Sequence, residues 1–305
     1  MIKAAQNRVV YLNGEFIPQQ EAKVSILDRG FLFGDSIYEV IPVYQGVPFR
    51  LPQHLQRLRY CLNAIKLSSP HSCLHWTDQQ WTDIISRLVA LNGHGNQSIY
   101  LQVTRGVASI RNHAIPDDIQ ATVLLMSSPL PTPSLEQIDN PQTLSGICVN
   151  DYRWSHCDIK TTSLLASVML HQQAQQAGVD EALLIRDGQL TEGSASNLFI
   201  VKNQVVLTPP KSQYLLGGIT RDLLIEIMAQ HHIEYRQEAI SQQALFEADE
   251  IWVTSSAKEV APLISLDGKP INKGQAGPIW KKVAALYIAF KRELCEPKLA
   301  QQKQL

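Results

Sequence analysis

A run of serine, threonine and proline at residues 127–134, with the sequence SSPLPTPS, interrupts the chain near its middle. Proline lacks a backbone N–H and has a fixed φ, so a helix or an interior strand should not pass through this segment. A chain of 305 residues also fits two domains of about 150 residues each. We therefore predict a small N-terminal domain over residues 1–126, an interdomain linker over 127–134 and a larger C-terminal domain over 135–305.

The N-terminal region alternates between strand-like and helix-like hydrophobic patterns. Asn13-Gly14 lies inside an apolar stretch and is typical of a hairpin turn. Thr77 with Gln80 has the spacing of a capping box, which predicts the start of a helix. Apolar residues at helical spacing predict a helix before it, and they are Leu55, Leu58, Leu62 and Ile65.

The C-terminal region continues the same mixture, so the sequence predicts a mixed α/β fold. Asp187-Gly188 is typical of a tight hairpin, and Lys202-Asn203 of a turn between two strands. Lys160 stands directly before a predicted helix, which Gly178 ends. The apolar stripe of that helix comprises Leu164, Leu165, Val168 and Met169.

Composition excludes several classes of partner. The formal net charge of -1 argues against nucleic acid or an anionic membrane as the main partner. No apolar run approaches the length of a membrane span, and the N-terminus lacks the apolar core of a signal peptide. The five cysteines form neither a CxxC pair nor a metal-ligand spacing. We therefore expect no metal site, and reduced thiols in a cytoplasmic protein.

Four segments carry a family resemblance: residues 28–40 (DRGFLFGDSIYEV), 157–168 (CDIKTTSLLASV), 190–199 (LTEGSASNLF) and 215–222 (LLGGITRD). Together they resemble the fold-type IV pyridoxal-phosphate enzymes, which include branched-chain and D-amino-acid aminotransferases and aminodeoxychorismate lyases. The chain looks most like bacterial D-amino-acid aminotransferases. The resemblance implies a two-domain fold that holds pyridoxal 5'-phosphate in the cleft between the small and the large domain.

Two catalytic residues follow from the resemblance. Lys160 would hold the cofactor as a Schiff base and then move a proton at the substrate's Cα, a role that needs a lysine at a fixed place in a pocket. Glu192 would keep the ring nitrogen of the cofactor protonated, so that the ring acts as an electron sink. Asn197 is interpreted as a turn residue that supports this site.

The resemblance also implies a set of cofactor-binding residues. Arg57 corresponds to the family's phosphate-binding arginine. Ile219 and Thr220 open a helix after a glycine pair, and free N–H groups at a helix N-terminus favour an anion. Ser256 would add a hydroxyl group, and Leu216 would pack behind the pyridine ring.

Substrate recognition is predicted at Tyr38, Arg111 and His113. In D-amino-acid aminotransferases an Arg-x-His pair on a loop binds the α-carboxylate beside a tyrosine, and a guanidinium suits a carboxylate. The resemblance implies that this loop reaches in from a neighbouring subunit, which makes the enzyme a homodimer. The predicted reaction transfers the amino group of D-alanine or D-glutamate to 2-oxoglutarate or pyruvate.

Four alternatives stay open at the level of sequence. A branched-chain L-amino-acid aminotransferase would usually lack the Arg-x-His pair, and an aminodeoxychorismate lyase would keep Lys160 and Glu192 without exchanging a second substrate. An amine transaminase would need no carboxylate site, and a silent pyridoxal-phosphate carrier would need no catalysis. The chain departs from the D-specific pattern at residues 161–163 and at Ala257, which leaves the side-chain preference open.

Overall fold

The computed structural model describes residues 8–67, 75–93, 95–130 and 138–302, with side chains as far as Cys295. The fold is mixed α/β, as predicted, and divides into two compact units. Unit 1 comprises residues 1–132 and 159–163, and unit 2 comprises residues 133–158 and 164–305. Segment 159–163 lies in the stretch that we assigned to the C-terminal domain, but the structure groups it with unit 1.

Unit 1 contains six strands and three helices within its described residues. The strands are β1 (Val9–Leu12), β2 (Glu15–Pro18), β3 (Ser36–Tyr44), β4 (Val47–Pro48), β5 (Gln97–Thr104) and β6 (Thr122–Pro129). The helices are α1 (Arg29–Phe33), α2 (Leu51–Ala64) and α3 (Asp78–Leu91). The strands form one antiparallel sheet in the order β2-β1-β6-β5-β3-β4.

The core of unit 1 follows from alternation along the strands and helical spacing along α2 and α3. Ile37 and Ile41 on β3 share one face of the sheet and are fully buried. The predicted stripe of α2 packs in the same cluster, with Leu55, Leu58 and Leu62 buried and Ile65 partly buried against it. The capping box at Thr77 and the hairpin turn at Asn13-Gly14 are both formed as predicted.

The predicted linker begins too early. Ser127, Ser128 and Pro129 belong to β6 and pair with β5 as far as Gln97. Strand β1 pairs with β6 only at Leu124 and Leu125, so Pro129 needs no N–H toward that neighbour. Residues 131–137 of this stretch lie outside the described part of the chain.

Unit 2 contains nine strands and four helices within its described residues. The strands are β7 (Leu144–Asn150), β8 (Glu181–Arg186), β9 (Gln189–Gly193), β10 (Asn197–Lys202), β11 (Val205–Thr208), β12 (Tyr235–Gln237), β13 (Glu250–Ser255), β14 (Glu259–Leu266) and β15 (Lys269–Pro270). The helices are α4 (Leu165–Gln176), α5 (Ile219–Gln230), α6 (Gln242–Phe246) and α7 (Pro278–Gln302).

The nine strands form one mixed sheet in the order β12-β11-β10-β13-β14-β7-β8-β9, with β15 paired to β14. Asp187-Gly188 makes the predicted hairpin between β8 and β9, with both residues at positive φ. The turn between β10 and β11 is displaced by one residue from its prediction. Lys202 still pairs with Val205, and Asn203 and Gln204 take the positive φ values.

Helix α4 ends at Gly178 as predicted, but most of its apolar stripe faces outward. Leu165 is 74% exposed, Val168 61% and Met169 52%. The helix packs on the sheet through Leu170 and Ala174 instead. A run of apolar residues here marks an exposed face of α4, not a face packed within unit 2.

Of the helices that the structure describes, none is both long enough and apolar enough to cross a membrane. Four of the five cysteines lie among residues with described side chains, and they are free: Cys61, Cys148, Cys157 and Cys295. Cys73 lies outside the described residues.

Candidate active site

The segment that carries Lys160 lies along strand β3. The N–H of Tyr38 donates to the carbonyl of Lys160 at 3.0 Å, and the N–H of Thr162 donates to the carbonyl of Ser36 at 3.2 Å. The Lys160 N–H in turn donates to the Sγ of Cys61 on α2, at 3.3 Å. These contacts explain why five residues from the middle of the chain belong to unit 1.

The side chain of Lys160 lies over the ring of Tyr38. Its Nζ is 4.0 Å from the ring centroid, a distance at which the ring face attracts an ammonium. The other neighbour of the Tyr38 ring is Tyr100, whose ring stacks at 5.7 Å. The structure therefore brings together two of the predicted site residues, one proposed to bind cofactor and one to bind substrate.

Arg57 lies on α2 in a buried ion pair with Glu39 on β3. Its Nε donates to Glu39 at 2.7 Å and its Nη2 at 2.8 Å, which fixes the guanidinium in a two-point contact. His54 Nδ1 lies 2.8 Å from the same carboxylate. Burial alone would raise the pKa of Glu39, but Arg57 and His54 outweigh it and leave the pKa well below its usual 4.5.

Sequence reasoning missed Glu39 and His54, although both had a signal. Glu39 shares a face of β3 with Ile37 and Ile41, where an acid needs a partner because burying an unpaired charge is costly. His54 lies on the buried face of α2, next to Leu55 and one turn before Leu58. A charged or polar residue inside an apolar face was the available sign of a buried pair.

Arg111 and His113 lie on an exposed loop between β5 and β6, and both contact the ring of Phe33. The guanidinium of Arg111 is 5.2 Å from the ring centroid, and the ring of His113 is 5.2 Å away and tilted. Phe33 ends α1, in the segment with the sequence DRGFLFGD. The predicted Arg-x-His pair is therefore held as one group, with both side chains on Phe33.

Glu192 is buried at the end of β9 in unit 2, with three hydrogen-bond donors on its carboxylate. Arg153 Nη1 donates at 2.5 Å, the Leu216 N–H at 3.0 Å and Asn197 Nδ2 at 3.2 Å. Burial raises the pKa of Glu192 above its usual 4.5, and Arg153 and the Leu216 N–H oppose the shift without cancelling it.

Arg153 was not identified from the sequence. Besides Glu192, its guanidinium donates to Asp151 Oδ1 and Oδ2, each at 3.0 Å. Thr191 donates to the same Asp151 at 3.0 Å. The arginine thus links the two acids, and the signal was an Asp-x-Arg group at the end of β7, seven residues before Lys160.

Asn197 and Leu216 surround Glu192 with fixed polar groups. Asn197 Nδ2 also donates to the Leu216 carbonyl at 2.8 Å. A Cβ added at Gly218 would lie 2.0 Å from Asn197 Oδ1, so a larger residue could not approach Asn197 as closely. Asn197 supports the site as we predicted, and the backbone of Leu216, besides its side chain, has a place there.

Helix α5 begins at Ile219 and Thr220 after the cap residue Gly218, whose missing side chain provides no capping hydrogen bond. The first-turn N–H groups of such a helix carry a partial positive charge. Thr254, which pairs with Asn197 across β10 and β13, has a buried Oγ1 without a hydrogen-bond partner among the described residues. Ser256 follows in the turn after β13 and is half-buried.

Each unit thus carries one part of the predicted set. Unit 1 carries Lys160, Tyr38 and Arg57 as one group and Arg111 with His113 as a second. Unit 2 carries Glu192 with Leu216, and the α5 N-terminus. A reactive amine, a buried carboxylate, an arginine pair and a helix N-terminus can bind and orient an anionic, nitrogen-containing group and move a proton.

Comparison with known proteins agrees with this chemistry. The family described as amino-transferase class IV matches residues 36–266. A D-alanine aminotransferase of Bacillus licheniformis is 37% identical over 274 residues, which cover 90% of this chain and 94% of the relative. A D-alanine aminotransferase of Staphylococcus aureus (strain N315) is 37% identical over 275 residues, with the same coverage of both chains.

Solved structures show the same architecture. A branched-chain aminotransferase from Thermoproteus uzoniensis with norvaline superimposes with a TM-score of 0.82 at 27% identity, over 95% of both chains. A branched-chain amino acid aminotransferase from T.th., complexed with N-(5'-phosphopyridoxyl)-L-glutamate, gives 0.82 at 26% identity, with the same coverage. The fold, the matched segment and the similarity over nearly the whole chain lead to one conclusion: this chain is an enzyme that belongs to the class IV aminotransferases.

Proposed function

We propose that this enzyme is a pyridoxal-phosphate-dependent aminotransferase of D-amino acids, with 2-oxo acids as amino acceptors. The observation that carries the proposal is the pairing of Arg111 and His113 on one loop, with both side chains on Phe33. The relatives named D-alanine aminotransferases support the same substrate class. The expected donors are D-alanine and D-glutamate, and the expected acceptors are pyruvate and 2-oxoglutarate.

The chemistry of the described residues fits pyridoxal 5'-phosphate. Lys160 supplies an amine, Glu192 a buried carboxylate and Arg57 a cation. The α5 N-terminus offers N–H groups to an anion, and the buried hydroxyl of Thr254 lacks a partner among the described residues. When bound, the cofactor would supply an electron sink for the electrons of the substrate's Cα–H bond.

Lys160 would attach the cofactor and then act on the Cα proton. Its Nζ lies over the ring of Tyr38, and hydrogen bonds to Tyr38 and Cys61 hold its backbone. A base with a fixed backbone and one side-chain direction is suited to removing and returning a proton on a single side of Cα.

Glu192 would accept a hydrogen bond from the protonated ring nitrogen. Arg153, Asn197 and the Leu216 N–H hold its carboxylate by one hydrogen bond each, so both oxygens have fixed directions. Burial disfavours the charged carboxylate, and the Arg153 guanidinium favours it. We propose that Arg153 keeps Glu192 ionised for this role, while Leu216 packs its side chain against the ring.

The phosphate would bind Arg57, the N–H groups of Ile219 and Thr220, and the hydroxyl of Ser256. Glu39 holds the Arg57 guanidinium at two points, so the arginine loses little conformational freedom when it binds an anion. Most of this set binds charge and does not take part in proton transfer, so its loss should weaken cofactor binding first.

Arg111, His113 and Tyr38 would bind the substrate's α-carboxylate. A guanidinium is suited to a carboxylate because two N–H groups match its two oxygens. With the carboxylate at these three residues, the Cα–H bond of a D-amino acid points toward Lys160, and that of an L-amino acid points away.

We also propose that the enzyme is a cytoplasmic homodimer. Unit 1 exposes Ile26 by 75%, Phe31 by 74% and Ile110 by 65%, and unit 2 exposes the apolar stripe of α4. Apolar side chains of this size grouped in sequence are typical of a face that a partner covers. The four free thiols fit a reducing compartment.

A branched-chain L-amino-acid aminotransferase is the second candidate, because the solved structures reported above are named for that activity. Single-turnover absorbance with D-alanine and L-leucine in parallel distinguishes the two candidates. Faster loss of the visible cofactor band with D-alanine supports the first proposal. Faster loss with L-leucine would transfer the assignment to the second and leave the cofactor residues unchanged.

A further inference from the structure

Arg29 is a buried arginine of α1 that contacts three consecutive carbonyl groups of the loop that carries Arg111 and His113. Its Nη1 donates to the carbonyl of Asn112 at 2.7 Å and to that of Ala114 at 3.2 Å. Its Nη2 donates to the carbonyl of His113 at 3.2 Å. The guanidinium therefore fixes the direction of three successive peptide groups in this loop.

The opposite side of the Arg29 side chain is anchored as well. Its Nε donates to Asp35 Oδ2 at 2.8 Å, and Arg105 binds the same carboxylate at 2.8 Å and 3.0 Å. Burial alone would raise the pKa of Asp35, but hydrogen bonds from Arg105 and Arg29 outweigh it and lower the pKa below its usual 3.8. Asp35 therefore stays ionised and keeps Arg29 in place at neutral pH.

The ring of Phe33 completes this arrangement. The guanidinium of Arg29 lies 4.9 Å from its centroid, close to the 5.2 Å of Arg111 and of the His113 ring. Arg29 thus contacts the backbone of the loop directly and the same aromatic ring as its two functional side chains. The residue corresponds to the arginine in the Asp-Arg-Gly sequence at 28–30, whose role the sequence alone did not indicate.

We propose that Arg29 is a positioning residue that holds the loop of Arg111 and His113 in the conformation that receives the substrate's carboxylate. This inference rests on the proposed function, because it takes Arg111 and His113 as the carboxylate site. Residues 111–115 are exposed and form neither helix nor strand, so few contacts of their own restrict the backbone. A loop fixed in advance binds its ligand without the entropic cost of ordering.

An arginine is suited to this role where a lysine is not. Three carbonyl groups and one carboxylate need donors in several fixed directions, and the planar guanidinium has five N–H groups on one rigid plane. A lysine at position 29 keeps the charge but has three donors on a single atom. Arg29→Lys should therefore keep part of the effect, and Arg29→Met should lose all of it.

The test compares Arg29→Met and Arg29→Lys with Arg105→Lys in the full-length holoenzyme. Arg105 binds the same Asp35, but its other hydrogen bonds go to the carbonyls of Ile65 and Lys66. It is therefore a matched control for lost stability. Two quantities are measured: hydrogen exchange of the amides in a peptide over residues 108–116, and KM and kcat for D-alanine and 2-oxoglutarate.

We expect Arg29→Met to speed exchange in this peptide and to raise both KM values about 10-fold, with a smaller change in kcat and unchanged affinity for pyridoxal phosphate. Arg29→Lys should fall between it and the unmodified enzyme, and Arg105→Lys should leave exchange and KM as they are. Unchanged exchange in Arg29→Met overturns the inference, and so does an equal effect of Arg105→Lys. If the unmodified enzyme does not convert D-amino acids, the proposed function fails, while exchange still decides whether Arg29 holds the loop.

Discussion

Arg153 Nη1 lies 2.5 Å from Glu192 Oε1, so the acid proposed to bind the cofactor's ring nitrogen already shares a buried ion pair with an arginine. The pair is linked to Asp151 through the same guanidinium. A positive charge on one side of a buried carboxylate favours its ionised form, which is the form that can accept a proton or a hydrogen bond. The electrostatics of this site therefore depend on at least three residues.

Replacement of Lys160 by alanine should abolish turnover, because no other group would hold the cofactor and move the Cα proton. The visible absorbance band of lysine-bound cofactor should disappear, and borohydride should no longer fix cofactor to the protein. Lys202→Ala, which changes an exposed lysine, is the control and should keep both properties. A borohydride-stable adduct in Lys160→Ala would show that another lysine is the attachment site.

Replacement of Glu192 by glutamine should slow Cα–H cleavage about 100-fold, while cofactor affinity changes far less. The amide keeps the shape of the carboxylate and loses the charge that holds the ring nitrogen protonated. Stopped-flow absorbance of the half-reaction with D-alanine measures the rate. Glu250→Gln alters another buried acid of unit 2 and should leave that rate intact. Equal rates in Glu192→Gln and the unmodified enzyme would refute the assignment.

Replacement of Arg57 by alanine should weaken cofactor binding, since it removes a charged hydrogen-bond donor worth about 1.5–3 kcal/mol. The dissociation constant of pyridoxal phosphate should rise roughly 10- to 150-fold, and excess cofactor should restore activity. Arg59→Ala on the same helix removes an exposed arginine paired with Asp78 and serves as the control. Normal cofactor affinity in Arg57→Ala would assign this arginine a structural role with Glu39 alone.

Replacement of Glu39 by glutamine should lower the free energy of unfolding at neutral pH by about 3–5 kcal/mol, because Arg57 loses its buried partner. The folded pKa of Glu39 lies well below 4.5, so its contribution is complete above that pH and declines as the pH falls through the folded pKa. The difference from the unmodified protein should therefore shrink below pH 4.5 in denaturant titrations. A difference that stays constant down to about pH 3 would contradict the ion pair.

Replacement of Arg111 by alanine should reduce kcat/KM for D-alanine by about 1.5–3 kcal/mol, roughly 10- to 150-fold. The loss should be specific to substrates with an α-carboxylate, so a primary amine without one should react at its unmodified rate. Arg236→Ala removes an exposed arginine and is the control. An equal loss for the amine would show that Arg111 acts on the fold and not on the carboxylate.

Local sequence signals predicted the elements that depend on local chemistry. The hairpin turn at Asn13-Gly14, the capping box at Thr77 and the helix end at Gly178 form where the pattern indicated. Each depends on residues within a few positions of one another, through a positive φ or a short side-chain hydrogen bond. The family segments likewise identified a class IV aminotransferase from residues that are close together in the chain.

The tertiary structure decided which charges meet. Glu39 and Arg57 are 18 residues apart, Arg153 and Glu192 are 39 apart, and Arg29 reaches the carbonyl of Asn112 across 83 residues. No periodicity contains these distances, because they arise only when strands pair and helices pack. The same holds for segment 159–163, which β3 binds by backbone hydrogen bonds. The sequence by itself determined the family and the type of each group, and the fold determined the partner that orients each group and sets its charge.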